Sequence, residues 1–258
     1  MERLLSYFDA LIIGTLQGLT EFLPISSSGH LVIVQFLLNI NVSGNLIEVA
    51  AHIGTLFSVL IVYRSEIIHI ISTLRSKKTQ KYFAILLLAT LPSILFVLYF
   101  KSFILAIFES QKHVALALVF TGLFLFLTFL SNKIHSPLDA KKAILIGIAQ
   151  ALAIIPGVSR SGMTITTALI LGIPKKDAAQ FSFLLAIPAI LGATIITFLD
   201  LDPVIRESMT PQLITIVLIS FLSGYLALRL LIRLLERGKL YYFGFYCIIM
   251  GVISFLML

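Results

Sequence analysis

Two short polar segments interrupt otherwise apolar stretches of this chain, and each carries residue types that can handle phosphate. The first follows Glu21 and contains three consecutive serines and His30, and the second contains Arg160 between two serines. A serine hydroxyl beside a histidine offers a nucleophile with its base, or a histidine that activates water. An arginine presents a planar fork of N–H donors that matches phosphate oxygens. Together these groups indicate phosphoryl chemistry.

The composition places these polar segments in a membrane protein. Hydrophobic residues make up 59% of the 258 residues and charged residues only 12%, whereas a soluble domain carries about a quarter charged residues. Stretches 84–100, 114–130 and 214–228 are nearly free of charge and long enough to cross about 30 Å of hydrocarbon. The net charge of +7 lies mostly between such stretches, so it indicates orientation in a bilayer and no nucleic-acid partner.

The apolar pattern predicts an all-α integral membrane protein with six transmembrane helices and two re-entrant helical hairpins. The hairpins are the stretches 5–38 and 141–172. Proline, glycine and serine interrupt each of them near its midpoint, so each half is too short to span. The six spans are expected at 46–63, 83–100, 113–131, 177–199, 212–232 and 240–257.

Basic residues in the loops predict the orientation. The loop at 64–81 is rich in lysine and arginine, and such loops stay on the cytoplasmic side. Threading the chain outward from it places both termini and the first hairpin on the external side, and the second hairpin on the cytoplasmic side. The cations of this loop are Arg64, Arg75, Lys77, Lys78 and Lys81.

The two hairpin stretches align with each other at an offset of 133 residues. The matched pairs are Gly14 with Gly147, Gln17 with Gln150, Ser26 with Ser159, Ser28 with Ser161 and Gly29 with Gly162. Each half then supplies one hairpin and three spans, an odd number of crossings, so the second half must be inverted. The sequence predicts a single membrane domain of two inverted repeats, 1–132 and 133–258, with chance similarity of two Gly- and Ser-rich breaks as the alternative.

Helical spacing groups several polar residues on common faces. Ser27 and His30 stand at i, i+3, and Gln17 and Glu21 stand at i, i+4. Arg160 is permanently charged, so inside a bilayer it needs an anionic partner or hydration. A purely structural ion pair with Glu21 is therefore the alternative to a phosphate site.

Other polar residues have weaker assignments. Glu48 and His52 share a helix face at i, i+4 and either line the mouth of the site or form a hydrated pair at the membrane interface. The aromatic residues Tyr241, Tyr242 and Tyr246 are assigned to an interfacial belt rather than to a ligand pocket.

The two motifs, GLTEFLPISSSGH at 18–30 and PGVSRSGMT at 156–164, resemble the two signatures of the undecaprenyl-diphosphatase family of the bacitracin-resistance type. The resemblance covers essentially the whole chain in length, spacing and number of spans. It implies hydrolysis of undecaprenyl diphosphate to the monophosphate and phosphate, which recycles the lipid carrier for cell-wall synthesis. It also implies a multi-pass protein of the bacterial plasma membrane whose active site opens to the external side.

The resemblance implies roles for individual residues as well. Catalytic roles fall on Glu21, Ser27, His30 and Arg160, and substrate-binding roles on Gln17, Ser26, Ser28, Ser159, Ser161 and Thr164. The family depends on a divalent cation, Mg²⁺ or Ca²⁺. Some relatives carry glutamate where this chain has Gln17, which cannot supply a second anionic ligand, so any cation is expected on Glu21 and the substrate phosphates.

Several alternatives stay open at this point. A transporter or a polyprenyl-phosphate flippase also suits inverted repeats with broken helices, and a purely structural membrane scaffold needs no chemistry at all. Within the enzyme hypothesis, a phosphoserine at Ser27 and direct attack by water are both compatible with the residues. Assembly into a homo-oligomer is likewise undecided.

Overall fold

The computed structural model describes residues 5–40, 46–108, 110–131, 136–199 and 203–257. Helices account for 85% of it, and the described residues contain no strand, which confirms the predicted all-α class. The helices are α1 (Tyr7–Phe22), α2 (Ser27–Leu37), α3 (Leu46–Val62), α4 (Arg64–Ser72), α5 (Lys77–Phe108), α6 (Gln111–Phe126), α7 (Ala140–Leu152), α8 (Arg160–Ile170), α9 (Lys175–Leu199), α10 (Pro203–Glu236) and α11 (Tyr241–Met257). A short 3₁₀ turn, Leu127–Leu130, extends α6.

Each of the six predicted spans coincides with one helix, namely α3, α5, α6, α9, α10 or α11. By length and composition, three helical segments of the described chain can cross a membrane: Lys77–Phe100 within α5, Gln111–Leu130, and Met209–Glu236 within α10. A fourth is available if α3 and α4 count as one bent segment. The chain therefore contains several apolar helices that can span a bilayer, and the crossing of all six stays a prediction.

The connection at 64–81 differs from the expected loop. It begins as helix α4, which bends by 71° away from α3. No residue of α4 is buried, so this helix lies on the surface of the bundle. The cationic segment that predicts the cytoplasmic side is therefore partly helical.

The two broken stretches fold as pairs of short helices, α1 with α2 and α7 with α8. In both pairs a serine ends the break and caps the following helix. Ser26 Oγ accepts a hydrogen bond from Gly29 N (3.3 Å), and Ser159 Oγ accepts one from Gly162 N (3.1 Å). Such caps satisfy backbone N–H groups that the first helical turn leaves free.

The tips of the two pairs touch each other. A Cβ atom on Gly29 would lie 3.0 Å from the Cα atom of Gly157, so a side chain at position 29 would push the tips apart. Gly157 itself has a φ of +91°, which glycine adopts without steric cost. This contact places the start of α2 directly against the break that leads into α8, and it sets the distance between the two polar segments.

An aromatic cluster closes the interior next to the site. The Phe22 and Phe183 rings meet edge to face at 5.6 Å between centroids, and Tyr63 lies 6.1 Å from Phe183. Phe22 and Phe183 are fully buried, and Phe22 directly follows Glu21 in α1.

Candidate active site

The carboxylate of Glu21 is the centre of the polar site. Its Oε1 accepts a hydrogen bond from Arg160 Nη2 at 2.7 Å. Its Oε2 accepts one from Ser27 Oγ at 2.5 Å and one from Gln17 Nε2 at 3.2 Å. His52 Nε2 lies 3.5 Å from the same Oε2. Four side chains from four helices, α1, α2, α3 and α8, therefore converge on one carboxylate whose side chain is only 6% exposed.

Arg160 is the first residue of α8, so it belongs to the second hairpin and contacts a carboxylate of the first hairpin. Its guanidinium keeps 15% of its side-chain surface exposed, and Nη1 donates a long hydrogen bond of 3.5 Å to the carbonyl oxygen of Ser182. The ion pair with Glu21 that the sequence left open is thus formed. Five N–H donors are available on a guanidinium, so donors remain for an anion that approaches from the exposed side.

Ser27 lies against Glu21 rather than against His30. The shared helix face at i, i+3 suggested a serine–histidine pair, but the hydroxyl of Ser27 donates to the Glu21 carboxylate. The reason is local: Ser26 adopts a φ of 66°, which is uncommon for a residue with a side chain, and the break turns the first residue of α2 back towards α1. The group that can take a proton from Ser27 is therefore a carboxylate.

Both ring nitrogens of His30 are occupied. Nδ1 lies 2.8 Å from the carbonyl oxygen of Ser26, and Nε2 lies 2.8 Å from the hydroxyl of Tyr246. The His30 side chain is buried. Tyr246, which the sequence assigned to an interfacial belt, thus contacts a candidate catalytic residue through its hydroxyl.

The remaining predicted substrate-binding residues mostly hold the tips together. Ser26 and Ser159 use their hydroxyls as helix caps. Ser161 Oγ donates to the carbonyl oxygen of Leu23 at 3.3 Å and so joins the two hairpins. Ser28 is the only one of these tip serines that is not buried, so its hydroxyl is the one best placed to meet a ligand.

Thr164 and two residues that the sequence did not single out complete this support. Thr164 Oγ1 donates to the Arg160 carbonyl at 2.8 Å and lies 2.5 Å from Ser182 Oγ. Thr121 Oγ1 donates to the Gly157 carbonyl at 2.9 Å and accepts from Ser159 N at 3.0 Å. Thr121 is one of two threonines in the apolar span 113–131, and its position was the only signal available in the sequence.

The second histidine of the site is His52. Its Nδ1 lies 2.6 Å from the carbonyl oxygen of Glu48, which directs Nε2 towards Glu21, and 29% of its side chain is exposed. Glu48 itself accepts a hydrogen bond from Gln35 Nε2 at 2.7 Å. Of the two assignments that the sequence allowed for His52, the structure favours the lining of the site.

The residues around Glu21 fit a hard divalent cation only in part. The described residues contain no group of three or more histidine, cysteine, aspartate or glutamate side chains that could hold a metal ion. Gln17 Oε1, however, is buried without a hydrogen-bond partner, while its amide nitrogen is held by Glu21. Amide and carboxylate oxygens are the ligands that Mg²⁺ and Ca²⁺ prefer, so Gln17 and Glu21 form an incomplete oxygen site that substrate oxygens would have to finish.

Comparison with known proteins decides which family this arrangement belongs to. Residues 10–253 match the family described as bacitracin resistance protein BacA. The chain belongs to this family. The match includes both polar segments and every helix that contributes a residue to the site.

Curated relatives cover 95% or more of the chain. An undecaprenyl-diphosphatase 2 of Bacillus thuringiensis is 36% identical over 271 aligned positions, with all of both chains covered. An undecaprenyl-diphosphatase of Carboxydothermus hydrogenoformans is 40% identical, with 95% of each chain covered. A protein of the same name from Korarchaeum cryptofilum is 36% identical, with 95% of this chain and 96% of the relative covered.

Proposed function

We propose that this chain hydrolyses undecaprenyl diphosphate to undecaprenyl phosphate and inorganic phosphate. The relatives at 36–40% identity carry this activity in their names, and the single structural observation that carries the chemistry is the Ser27–Glu21–Arg160 chain of hydrogen bonds. These hydrogen bonds join the Ser27 hydroxyl, the Glu21 carboxylate and the Arg160 guanidinium in one largely buried site. The reaction would return the lipid carrier to peptidoglycan synthesis, and the family's name links it to bacitracin resistance.

The geometry supports a reaction in which Arg160 binds and Glu21 accepts a proton. Before substrate arrives, Arg160 neutralises the carboxylate. A pyrophosphate group that enters beside Arg160 competes for the guanidinium, because phosphate oxygens match its fork of donors. Glu21 then loses part of its counter-charge and becomes a better proton acceptor for the hydroxyl that it already holds.

Two forms of the attack follow from this arrangement. In the first, Ser27 Oγ attacks the terminal phosphorus and its proton passes to Glu21. The bond from phosphorus to the bridging oxygen breaks, which gives polyprenyl phosphate and a phosphoserine that water later hydrolyses. In the second, Ser27 and Glu21 position and deprotonate a water molecule that attacks directly. His30 is a second group that can carry a proton. Ser28 and the backbone N–H groups at the start of α2 would hold phosphate oxygens.

A divalent cation, Mg²⁺ or Ca²⁺, is part of the proposal. Gln17 Oε1 and Glu21 would hold it together with phosphate oxygens. When bound, it would neutralise charge that develops on the phosphoryl group. The support is the unpartnered amide oxygen of Gln17 next to the only carboxylate that the described residues place at Arg160.

The arrangement of the chain in the membrane is also part of the proposal. Six spans and two re-entrant hairpins form two inverted repeats, 1–132 and 133–258, in the bacterial plasma membrane, with the site open to the external side. Support comes from the matched serine caps, Ser26 and Ser159, and from corresponding packing, since α1 packs along α10 and α7 packs along α5. The exposed surface of Arg160 and His52 is the side from which we propose that the headgroup approaches.

The decisive experiment is phosphate release by purified protein in detergent. Undecaprenyl diphosphate is the substrate, and release is measured with and without a chelator. A transporter or flippase predicts no phosphate, since transport has no meaning in detergent. The enzyme hypothesis fails if wild type releases none, and the cation hypothesis fails if the chelator has no effect. Rapid quenching followed by mass spectrometry of the Ser27 peptide separates the two forms of attack.

A further inference from the structure

Tyr246 reaches the site from the last helix of the chain. It belongs to α11 and is 216 residues away from His30, yet its hydroxyl lies 2.8 Å from His30 Nε2. The two rings are nearly parallel, with 5° between their planes and 5.7 Å between centroids. Tyr246 is 39% exposed while His30 is buried, so the tyrosine lies between a buried imidazole and the surface of the bundle.

The hydrogen-bond partners determine the tautomer of His30. The Ser26 carbonyl oxygen can only accept, so Nδ1, which lies 2.8 Å away, must carry the hydrogen. In the neutral ring the lone pair is then on Nε2. The hydroxyl of Tyr246 is therefore the donor to Nε2.

The register of α11 against the first hairpin is fixed at two adjacent residues. The neighbour of Tyr246, Cys247, is fully buried, and its Sγ lies 3.6 Å from the carbonyl oxygen of Pro24 in the break. The other tyrosines of α11 behave differently, because the rings of Tyr241 and Tyr242 contact each other, with 4.4 Å between centroids and 33° between planes. Tyr246 alone among the three contacts the hairpin tip through its hydroxyl in the described structure.

We propose that Tyr246 is a positioning residue for His30. It holds the basic nitrogen of the imidazole in one orientation and keeps that nitrogen hydrogen-bonded in both protonation states. When Nε2 takes up a proton, rotation about the C–O bond lets the same hydroxyl oxygen accept from the new N–H. The inference rests on the proposed function for its catalytic meaning, but the contact itself has consequences that need no turnover.

The test compares Tyr246→Phe with wild type and with Tyr242→Phe, a matched loss of one hydroxyl on the same helix at an exposed position. Tyr246→Phe keeps the ring and removes only the donor. We expect kcat to fall about tenfold, the equivalent of one lost hydrogen bond, with KM unchanged. Diethyl pyrocarbonate, which acylates an unprotonated imidazole nitrogen, should modify His30 faster in Tyr246→Phe, because Nε2 is no longer occupied. Mass spectrometry of the His30 peptide measures that rate, and His52 serves as an internal reference.

The possible outcomes separate cleanly. A lower kcat together with faster acylation of His30 supports the proposal, and Tyr246→Phe should then add no further loss in a His30→Gln background. An acylation rate equal to that of Tyr242→Phe overturns it, whatever happens to kcat. Acylation needs no activity, so a protein that releases no phosphate but shows the expected acylation would refute the proposed function and leave the positioning role intact.

Discussion

Arg160 Nη2 donates a hydrogen bond to Glu21 Oε1 over 2.7 Å, although the two residues are 139 positions apart in the chain. Each comes from a different broken stretch, so the site exists only when both are folded and in contact. The pair is largely buried, and removing one partner of a buried pair leaves the other charge uncompensated. Activity and stability should therefore respond together to substitutions at either residue.

Glu21→Gln should abolish most activity and lower stability. The substitution keeps the shape of the side chain but removes the proton acceptor of Ser27 and the counter-charge of Arg160. We expect phosphate release to fall at least about 10²-fold and the free energy of unfolding to fall by about 3 kcal/mol. Steady-state assays and thermal unfolding in detergent measure the two effects.

Glu236→Gln is the matched control for Glu21→Gln, since Glu236 is exposed at the end of α10. It should leave both quantities unchanged. Normal phosphate release by Glu21→Gln would show that the carboxylate has no part in the reaction.

Arg160→Lys should be nearly as harmful as Arg160→Ala. Lysine keeps the positive charge and has three N–H donors, but its ammonium lacks the planar fork with which a guanidinium binds Glu21 on one edge and phosphate oxygens on another. A loss of at least about 10²-fold in kcat/KM is expected. Arg229→Lys, on an exposed arginine of α10 that donates to Tyr225, controls for the exchange itself. If Arg160→Lys retained activity, charge alone would be sufficient and the fork of donors would be irrelevant.

Thr121→Val should displace the tip of the second hairpin, the break that leads into α8, without removing any group that takes part in the proposed reaction. Valine has the shape of threonine but loses the hydrogen bonds to the Gly157 carbonyl and from the Ser159 amide. Because two buried backbone groups are left without partners, unfolding should become easier by about 1–3 kcal/mol, and kcat should fall as Arg160 shifts. Thr128→Val, on the 3₁₀ turn that follows the same helix, removes only a bond to the Leu125 carbonyl. Equal thermal stabilities of the two variants would contradict the role given to Thr121.

Gly157→Ala should push the tip of the second hairpin away from α6. A Cβ atom there would lie 2.4 Å from the carbonyl oxygen of Val114, and the φ of +91° is unfavourable for alanine. We expect a marked loss of thermal stability and of phosphate release. Gly192→Ala makes the same change where a Cβ meets nothing within 4 Å, so it should behave as wild type.

The sequence predicted the elements well because the relevant signals are local. Proline and glycine end α1 near Pro24 and α7 near Pro156, and loss of apolar character marks the ends of the longer helices. The pairing of Glu21 with Arg160 was foreseeable for a similar reason, since a permanent charge in an apolar stretch needs a counter-charge. These inferences need no knowledge of how the helices pack.

The missed features depend on packing. The hydroxyl of Ser27 turns to Glu21 because of the backbone conformation of Ser26, which no periodicity reveals. Tyr246 and Thr121 act through contacts with residues 216 and 38 positions away, respectively. Each stands in a helix whose composition alone suggests a lipid-facing or interfacial role. Only the assembled bundle shows which face of that helix meets a hairpin.

The close approach of Gly29 to Gly157 also bears on whether a lipid headgroup can move between the hairpins to the other side of the membrane. At this contact the two backbones leave no room for a phosphate group to pass between the hairpins. The groups around Glu21 are assembled with this contact closed, so the proposed hydrolysis does not require the hairpins to separate. Moving a headgroup between the hairpins to the opposite leaflet requires the two tips to separate by more than the width of a phosphate group. A covalent cross-link between the two tips would therefore leave hydrolysis intact and block any translocation of the lipid headgroup between the hairpins.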